Sequence, residues 1–323
     1  MRLRRRVALA GAVTLAALAG RRAAAAYPDR PIRLILPYPP GGSTDPVARI
    51  LGTAASAGLG QPFVIENRSG GTGALAVRAV MGAPPDGHTL LLHTSAIALD
   101  PILRPSIGYD VRQDLTAVIP LVRSPFLIFV NANLPARTLQ DFVAYAKANP
   151  RRINFGSTGV GGSSHLAGER FRMTAGLDMV HVPYRGGGPL LEAVLKDEVQ
   201  VAFTTFSGAA PLLQSGALRA LASTAAERSP SAPGIPTVAE SGFPGYEYSF
   251  WIGIFGPARL PAPVVATLHA AFAEALRNPA VKMRLNDLDF TIDGSSAEAF
   301  RAAIAARVES ETRVIREAGI SLD

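Results

Sequence analysis

Short apolar runs alternate along this chain with breaks rich in glycine and proline, and with longer stretches whose apolar positions recur every three or four residues. The first runs read as strand, loop and helix in turn. Residues 32–36 (IRLIL) are β-rich, PYPPGGSTDP breaks the chain, and residues 47–60 (VARILGTAASAGLG) have the small apolar character of a helix. The unit repeats as 62–66 (PFVIE), the loop NRSGGTG, a helical 74–83 and a strand at 88–93. Past Arg123-Ser124-Pro125 a new strand begins at FLIFV, and Thr138 to Asp141 then form a capping box. Leu139, Phe142, Val143 and Ala146 share one face of the helix it opens, and Pro150 lies just beyond the end.

A second set of units follows. Residues 153–155 lead through GSTGVGGSSH into a helix, and 179–184 lead through RGGGP into a helix carrying Leu190, Leu191, Val194 and Leu195, with Pro189 in its first turn. Strands at 199–204 and 218–224 are expected to be joined by a turn, and 229–245, rich in proline and glycine, to be irregular. After a strand over 248–257, two amphipathic helices close the chain. One carries Val264, Leu268, Phe272 and Leu276 and stops before Pro279; the other starts at a Ser295–Glu298 box, carries Phe300, Ile304 and Val308, and ends at Gly319. Alternating strands and helices predict an α/β protein with mostly parallel sheets. The return of the C-terminal part to the first half predicts two α/β lobes joined by two hinge crossings: 27–124 plus 248–323 as lobe 1, and 125–247 as lobe 2.

Composition narrows the classes. The chain has 323 residues, 48% hydrophobic and 18% charged, with no cysteine, so disulfides, thiolate metal sites and Cys nucleophiles are excluded together. A net charge of +7 suggests a polyanion partner until its distribution is read. Six of the 32 basic residues and none of the 25 acidic ones lie in 1–26, leaving 26 against 25 beyond them. Nucleic acid is therefore not an expected partner. Arg2, Arg4, Arg5 and Arg6, an uncharged run to Gly20, and Ala24 and Ala26 as an A-x-A site make residues 1–26 a signal peptide, cleaved after Ala26 for export out of the cytoplasm. The apolar run is shorter than the roughly 20 residues a spanning helix needs. Arg5-Arg6 leaves both the general and the twin-arginine export routes open.

The candidate chemistry lies in glycine clusters that follow strands and precede helices: Gly41-Gly42-Ser43-Thr44, Gly70-Gly71-Thr72-Gly73, the run from Gly156 to Ser163, and Gly186-Gly187-Gly188. Such turns let backbone N–H groups converge on an anion at a helix start, and Ser and Thr add hydroxyl donors. No phosphate-binding G-x-x-x-x-G-K-[ST] loop occurs, and Gly159-x-Gly161-x-x-Ser164 departs from the dinucleotide pattern. No G-x-S-x-G elbow occurs either, and Ser163 and His165, two apart at a helix start, project differently. The histidines lack metal-ligand spacing, so neither metal nor cofactor is expected. His165 is open to two roles, donor to a ligand or local cap. Asp45 is likewise open: it complements the helix dipole or selects a ligand amine or hydroxyl. Phe250 and Trp251 read as core, and Arg151-Arg152 as a solvated corner.

Taken together, PYPPGGSTDPVAR, ENRSGG, PPDGHTLLL, NFGSTGVGGSSHLAGE, HVPYRGGGP, GALRALAST and PTVAESGFPGYE resemble, in order and over the chain after the signal, the Bug family of bacterial periplasmic solute receptors, the substrate-binding proteins of tripartite tricarboxylate transporters. The resemblance implies a type II periplasmic binding protein-like fold, a cleft between the lobes that closes on a small carboxylate, delivery to membrane permease subunits, a monomer and no catalysis. It implies that the loop from Tyr38 to Asp45 holds one carboxylate through Gly41, Gly42 and Thr44. The loop from Ser157 to His165 would clamp the same end through Ser157, Thr158, Gly161, Gly162 and Ser163, while Ser95, Thr204 and Thr205 face the variable end. Two positions depart from the family's usual pattern. Thr204 stands where many relatives have Asp, which weakens an amino-acid ligand, and Asp100-Pro101 stands where Asn-Pro is common. A receptor that signals to a two-component sensor stays an alternative, as does an enzyme using Asp45 or His165 as base.

Overall fold

The computed structural model describes residues 27–40, 44–70, 73–229 and 231–322. The signal peptide at 1–26 with its cleavage point, and Gly41 and Gly42, lie outside the described residues.

Strands β1 (Ile32–Leu36), β2 (Phe63–Asn67), β3 (Thr89–Thr94), β4 (Leu115–Pro125), β10 (Ser249–Pro257) and β11 (Thr291–Ile292) form one sheet in the order β11-β4-β10-β3-β1-β2. A second sheet, β7-β6-β8-β5-β9, comprises β5 (Leu127–Asn131), β6 (Ile153–Ser157), β7 (Met179–Pro183), β8 (Val201–Thr204) and β9 (Leu218–Ser223). Each sheet is mixed, which corrects the expectation of mostly parallel pairing. β1 runs parallel to β2 and β3, and β6 parallel to β7 and β8, but β10 pairs antiparallel with β3 and β4, and β5 antiparallel with β8 and β9. In the second sheet β5, the strand by which the chain enters, is the one that opposes its neighbours.

Both faces of the central strands are covered by helices, which is why they read as near-continuous apolar runs. In β1, Leu34 and Leu36 join one buried cluster and Ile35 another, and in β5 Ile128 and Val130 separate in the same way from Leu127 and Phe129. The helices are α1 (Thr44–Leu59), α2 (Ala74–Met81), the short α3 (Asp100–Leu103) and α4 (Val111–Asp114), and α5 (Leu139–Ala148). They continue as α6 (Ser163–Ala175), α7 (Gly187–Leu195), α8 (Phe206–Gln214), α9 (Ala262–Arg277), α10 (Pro279–Asp287) and α11 (Ala297–Glu317). At α5 the capping box is present: the Thr138 hydroxyl accepts from the Asp141 N–H at 3.1 Å and the Asp141 carboxylate from the Thr138 N–H at 2.9 Å.

Three departures from the sequence expectation have physical causes. The segment joining β8 to β9 is the helix α8, not a turn; Gly208 and Pro211 interrupt its pattern, but Ala209, Leu212 and Leu213 pack it onto the second sheet. Pro279 both ends α9 and starts α10, where the Asn278 side chain caps the Ala280 N–H at 2.9 Å. The cap of α11 is Ser296, one residue later than expected, with its hydroxyl on the Ala299 N–H.

The chain passes between the sheets twice. Phe126 alone separates β4 from β5, and residues 224–248 return from β9 to β10. Thr224, fully buried, ties these crossings together: its Oγ1 accepts from the Phe126 N–H at 2.8 Å and donates to the Tyr248 carbonyl at 2.6 Å, while its N–H donates to the Phe126 carbonyl and its carbonyl accepts from the Tyr248 N–H.

Candidate functional site

Between the sheets lies a cleft of about 730 Å³. Five helices begin on it: α1 at Thr44, α2 after Gly73, α6 after Gly162, α7 after Gly186 and α8 after Thr205. Each follows a strand of its sheet at the strand's carboxyl end, so the orphan N–H groups of five first turns face one space. Among the described residues on the wall there is no Lys, Arg or His, and the ionisable groups are Tyr38 and Asp100. The donors that these residues turn to the cleft are backbone N–H and hydroxyl groups. Phe126 and Phe250, stacked at 5.3 Å, together with Leu103, Leu288, Leu322 and Val160, give the cleft apolar surface for a carbon skeleton.

From the first sheet, Tyr38 reaches the wall at the end of β1. Its hydroxyl bonds Thr94 Oγ1 at 2.7 Å, its carbonyl accepts from Asn67 Nδ2 at 3.0 Å, and burial pushes its phenol pKa up. Thr44 is also on the wall. Asp45 is behind it: its carboxylate takes both Nε and Nη2 of Arg49, at 2.9 and 3.1 Å, one turn along α1. Asp45 is thereby held in an ion pair, with Asn67 Nδ2 also at 3.3 Å.

From the second sheet, the loop after β6 presents Thr158, Gly161, Gly162 and Ser163 on the wall. Gly161 has φ +70°, and a Cβ there would meet Leu103 Cδ1 at 2.7 Å, so glycine is required on both counts. The loop rests on a buried polar layer. Ser157 Oγ bonds His181 Nε2 at 2.7 Å and the Gly159 carbonyl at 3.1 Å, and Thr158 N–H and Oγ1 both meet Ser164 Oγ. His165 is part of this layer and not of the wall. Its Nδ1 accepts from the Gly161 N–H at 3.0 Å, its ring stacks on His181 at 3.5 Å, and Glu169 Oε1 lies 3.8 Å from its Nε2. Of its two expected roles the structure favours the local one, and Ser163 meets Ser95, not His165, so no nucleophile and base pair forms. Burial and neighbouring His165 lower the His181 pKa to about 3, so its ring is neutral.

Ser157, Ser95, Asp45 and His165 therefore support the cleft from behind, whereas Tyr38, Thr44, Thr158, Gly161, Gly162, Ser163, Thr204 and Thr205 stand on it. Ser95 Oγ spans the sheets to Ser163 Oγ at 3.2 Å. Beside it Arg307 of α11 donates to the Ser249 carbonyl at 2.6 Å and covers the Tyr248 ring at 4.5 Å. Glu311, fully buried, joins Arg307 to Arg170 of α6 at 3.4 and 3.1 Å. Sequence reasoning missed Asp100, Leu103, Phe126 and Phe250 as wall residues; Phe250 was assigned to the core, where it is indeed buried, and only the approach of the two sheets brings it to the cleft. A second hollow of about 450 Å³ beside β5 is lined by Arg137, Asp141 and Arg219, the last two already engaged by the α5 cap and by three backbone carbonyls. Among the described residues no group of His, Asp or Glu could hold a metal ion, and no helix is long and apolar enough to cross a membrane.

The family model described as "Tripartite tricarboxylate transporter family receptor" matches residues 47–320. The protein BugT of Bordetella pertussis is 33% identical over 312 residues, covering 96% of each chain. Among solved structures, an R. palustris protein with adipate is 32% identical with a TM-score of 0.83, over 91% of this chain and 99% of that one. MatC from Rhodopseudomonas palustris with bound malate is 31% identical with a TM-score of 0.79, over 90% and 100%.

Proposed function

Because the chain belongs to the tripartite tricarboxylate transporter receptor family, we propose that it is a periplasmic solute receptor, exported by its cleaved signal peptide, that captures a small organic carboxylate and passes it to the membrane subunits of such a transporter. It is read as a binding protein without catalysis. The observation that carries the carboxylate is the convergence of five helix starts on one cleft with no cationic side chain among its described wall residues. A buried anion is costly unless hydrogen-bonded, and N–H and hydroxyl donors at helix starts meet that need. Adipate and malate in the two similar structures support the same class.

In this reading, 27–124 with 248–323 and 125–247 are the two lobes, and each brings part of the donor set. Tyr38, Gly41, Gly42 and Thr44 come from one lobe; Thr158, Ser163, Thr204 and Thr205 come from the other, where Gly161 and Gly162 give the ligand close access to the start of α6. A carboxylate on one lobe alone keeps part of its hydration. Closure about the Phe126–Thr224–Tyr248 hinge completes the donor set, and the ligand's greater affinity for the closed form drives the motion. The test is thermal shift of the mature protein against succinate, adipate, malate and citrate. At a concentration one hundred times Kd, a true ligand stabilises by about 2.7 kcal/mol. A flat response to all four and to a wider carboxylate panel refutes the reading.

A further inference from the structure

Among the described wall residues Asp100 is the one acid, on a cleft otherwise suited to anions. It opens α3, it is 8% exposed, and its neighbour Leu103 packs against Gly161 of the second-sheet loop. The Tyr109 hydroxyl donates to its Oδ2, and no other hydrogen bond to the carboxyl group occurs among the described residues. Tyr109 therefore fixes Oδ2 as an acceptor and leaves Oδ1 to carry a proton.

We propose that Asp100 takes up one proton from solvent when a carboxylate ligand binds and donates it, from Oδ1, as a hydrogen bond to that carboxylate, so that the receptor captures its anion together with a proton. This rests on the reading of the cleft as a carboxylate site. An anionic Asp100 would repel the ligand, and like charges in one site push a carboxyl midpoint strongly upward. Burial raises its pKa to about 6, against the Tyr109 hydrogen bond and the charge of Arg104. Protonation at pH 7 then costs only about a tenfold factor in affinity. The other groups facing it do not titrate in that range: burial holds the phenols of Tyr38 and Tyr109 protonated, and Arg104 is a guanidinium. From α11, Arg307 turns to Ser95, Ser249 and Glu311 instead.

The experiment uses whichever of succinate, adipate, malate and citrate gives the largest thermal shift. Its affinity is measured from pH 6 to pH 8, and its binding enthalpy at pH 7.5 in buffers of different ionisation enthalpy. The protonated fraction of a group with its midpoint near 6 falls from half to one in a hundred over this range, so affinity is expected to fall roughly fiftyfold, with about one proton taken up. Asp100→Asn, whose amide also donates, is expected to bind with an affinity that is flat in pH and without proton uptake. Tyr109→Phe, which removes the donor to Oδ2, moves the decline to higher pH. Melting curves verify that both variants are folded, and the native protein's proton uptake decides the matter even if neither is. Tight binding with no proton uptake and a flat pH profile overturns the proposal and leaves the carboxylate reading standing. So does binding confined to malate and citrate without proton uptake, in which case Asp100 accepts from a ligand hydroxyl. Failure of every carboxylate to bind overturns both readings together.

Discussion

Gly161 allows the second-sheet loop to be tested with a single methyl group. At φ +70° an alanine pays roughly 1 kcal/mol for the left-handed backbone, and its Cβ would lie 2.7 Å from Leu103 Cδ1 and 3.1 Å from Leu322 Cδ1. Leu103 is 2% exposed and has little room to retreat, so overpacking adds about 1–2 kcal/mol. Gly176, at the other end of α6, supplies the control: its φ is +62°, but nothing lies within 4 Å of its Cβ position. Gly176→Ala should therefore cost about 1 kcal/mol and Gly161→Ala about 2–3 kcal/mol. With roughly 2–3 °C per kcal/mol for a chain of this length, differential scanning calorimetry should separate the two melting points by several degrees. The second readout is the gain in melting temperature on adding the ligand. Gly176→Ala keeps the native gain, whereas Gly161→Ala loses most of it, because a displaced loop no longer holds Ser163 and the first turn of α6 in place on the cleft. Equal losses of stability in the two variants would refute the steric argument, and a full ligand gain in Gly161→Ala would remove this loop from the binding site.

Other changes probe the supports. Thr224→Val keeps the shape of the hinge but leaves the Phe126 N–H without its side-chain acceptor and the Tyr248 carbonyl without its donor; urea unfolding should show a loss of about 2–4 kcal/mol with an unchanged slope. His181 is held at a pKa of about 3, below its unfolded value, so the unfolded chain binds a proton first as pH falls. This histidine's contribution is fully present above pH 6.5 and is lost as pH drops toward 3, and His93, lowered by burial to about 4, acts in the same direction. Asp100, raised to about 6, opposes them between pH 4 and 6, so the informative quantity is a difference. His181→Gln should flatten stability against pH between 6 and 4 by up to about 1.4 kcal/mol per pH unit; an unchanged slope would contradict the neutral-histidine account.

Much of the scaffold was legible because its signals are local. The capping box at Thr138 and the apolar runs of β1 and β5 need no partner to be recognised. What escaped was set at long range. β4 spans 11 residues yet carries Pro120, which argues against a strand, and only its pairing with β10 tolerates it: the register shifts as Pro120 meets Gly253. α8 hides behind Gly208 and Pro211 until the second sheet buries one of its faces. At the site, the glycine loops announced themselves through composition, but which of their residues face the cleft depended on side chains far away in sequence. His165 is open in sequence between ligand donor and local cap, and only the approach of His181 and Gly161 engages its ring locally. Asp100 drew notice only as a departure from a familiar dipeptide, and its place beside the cleft follows from the approach of Leu103 to Gly161.

The lack of Lys and Arg among the described wall residues also governs how the cleft responds to its medium. Mobile ions screen exposed side-chain charges within about 10 Å at 0.1 M salt, but short hydrogen bonds from helix starts inside a closed cleft leave little room for them. With 26 basic residues against 25 acidic ones beyond the signal segment, the protein has little net field to steer an anion from a distance. For the proposed receptor, capture rate and affinity are therefore both expected to depend little on ionic strength, whatever salt surrounds it.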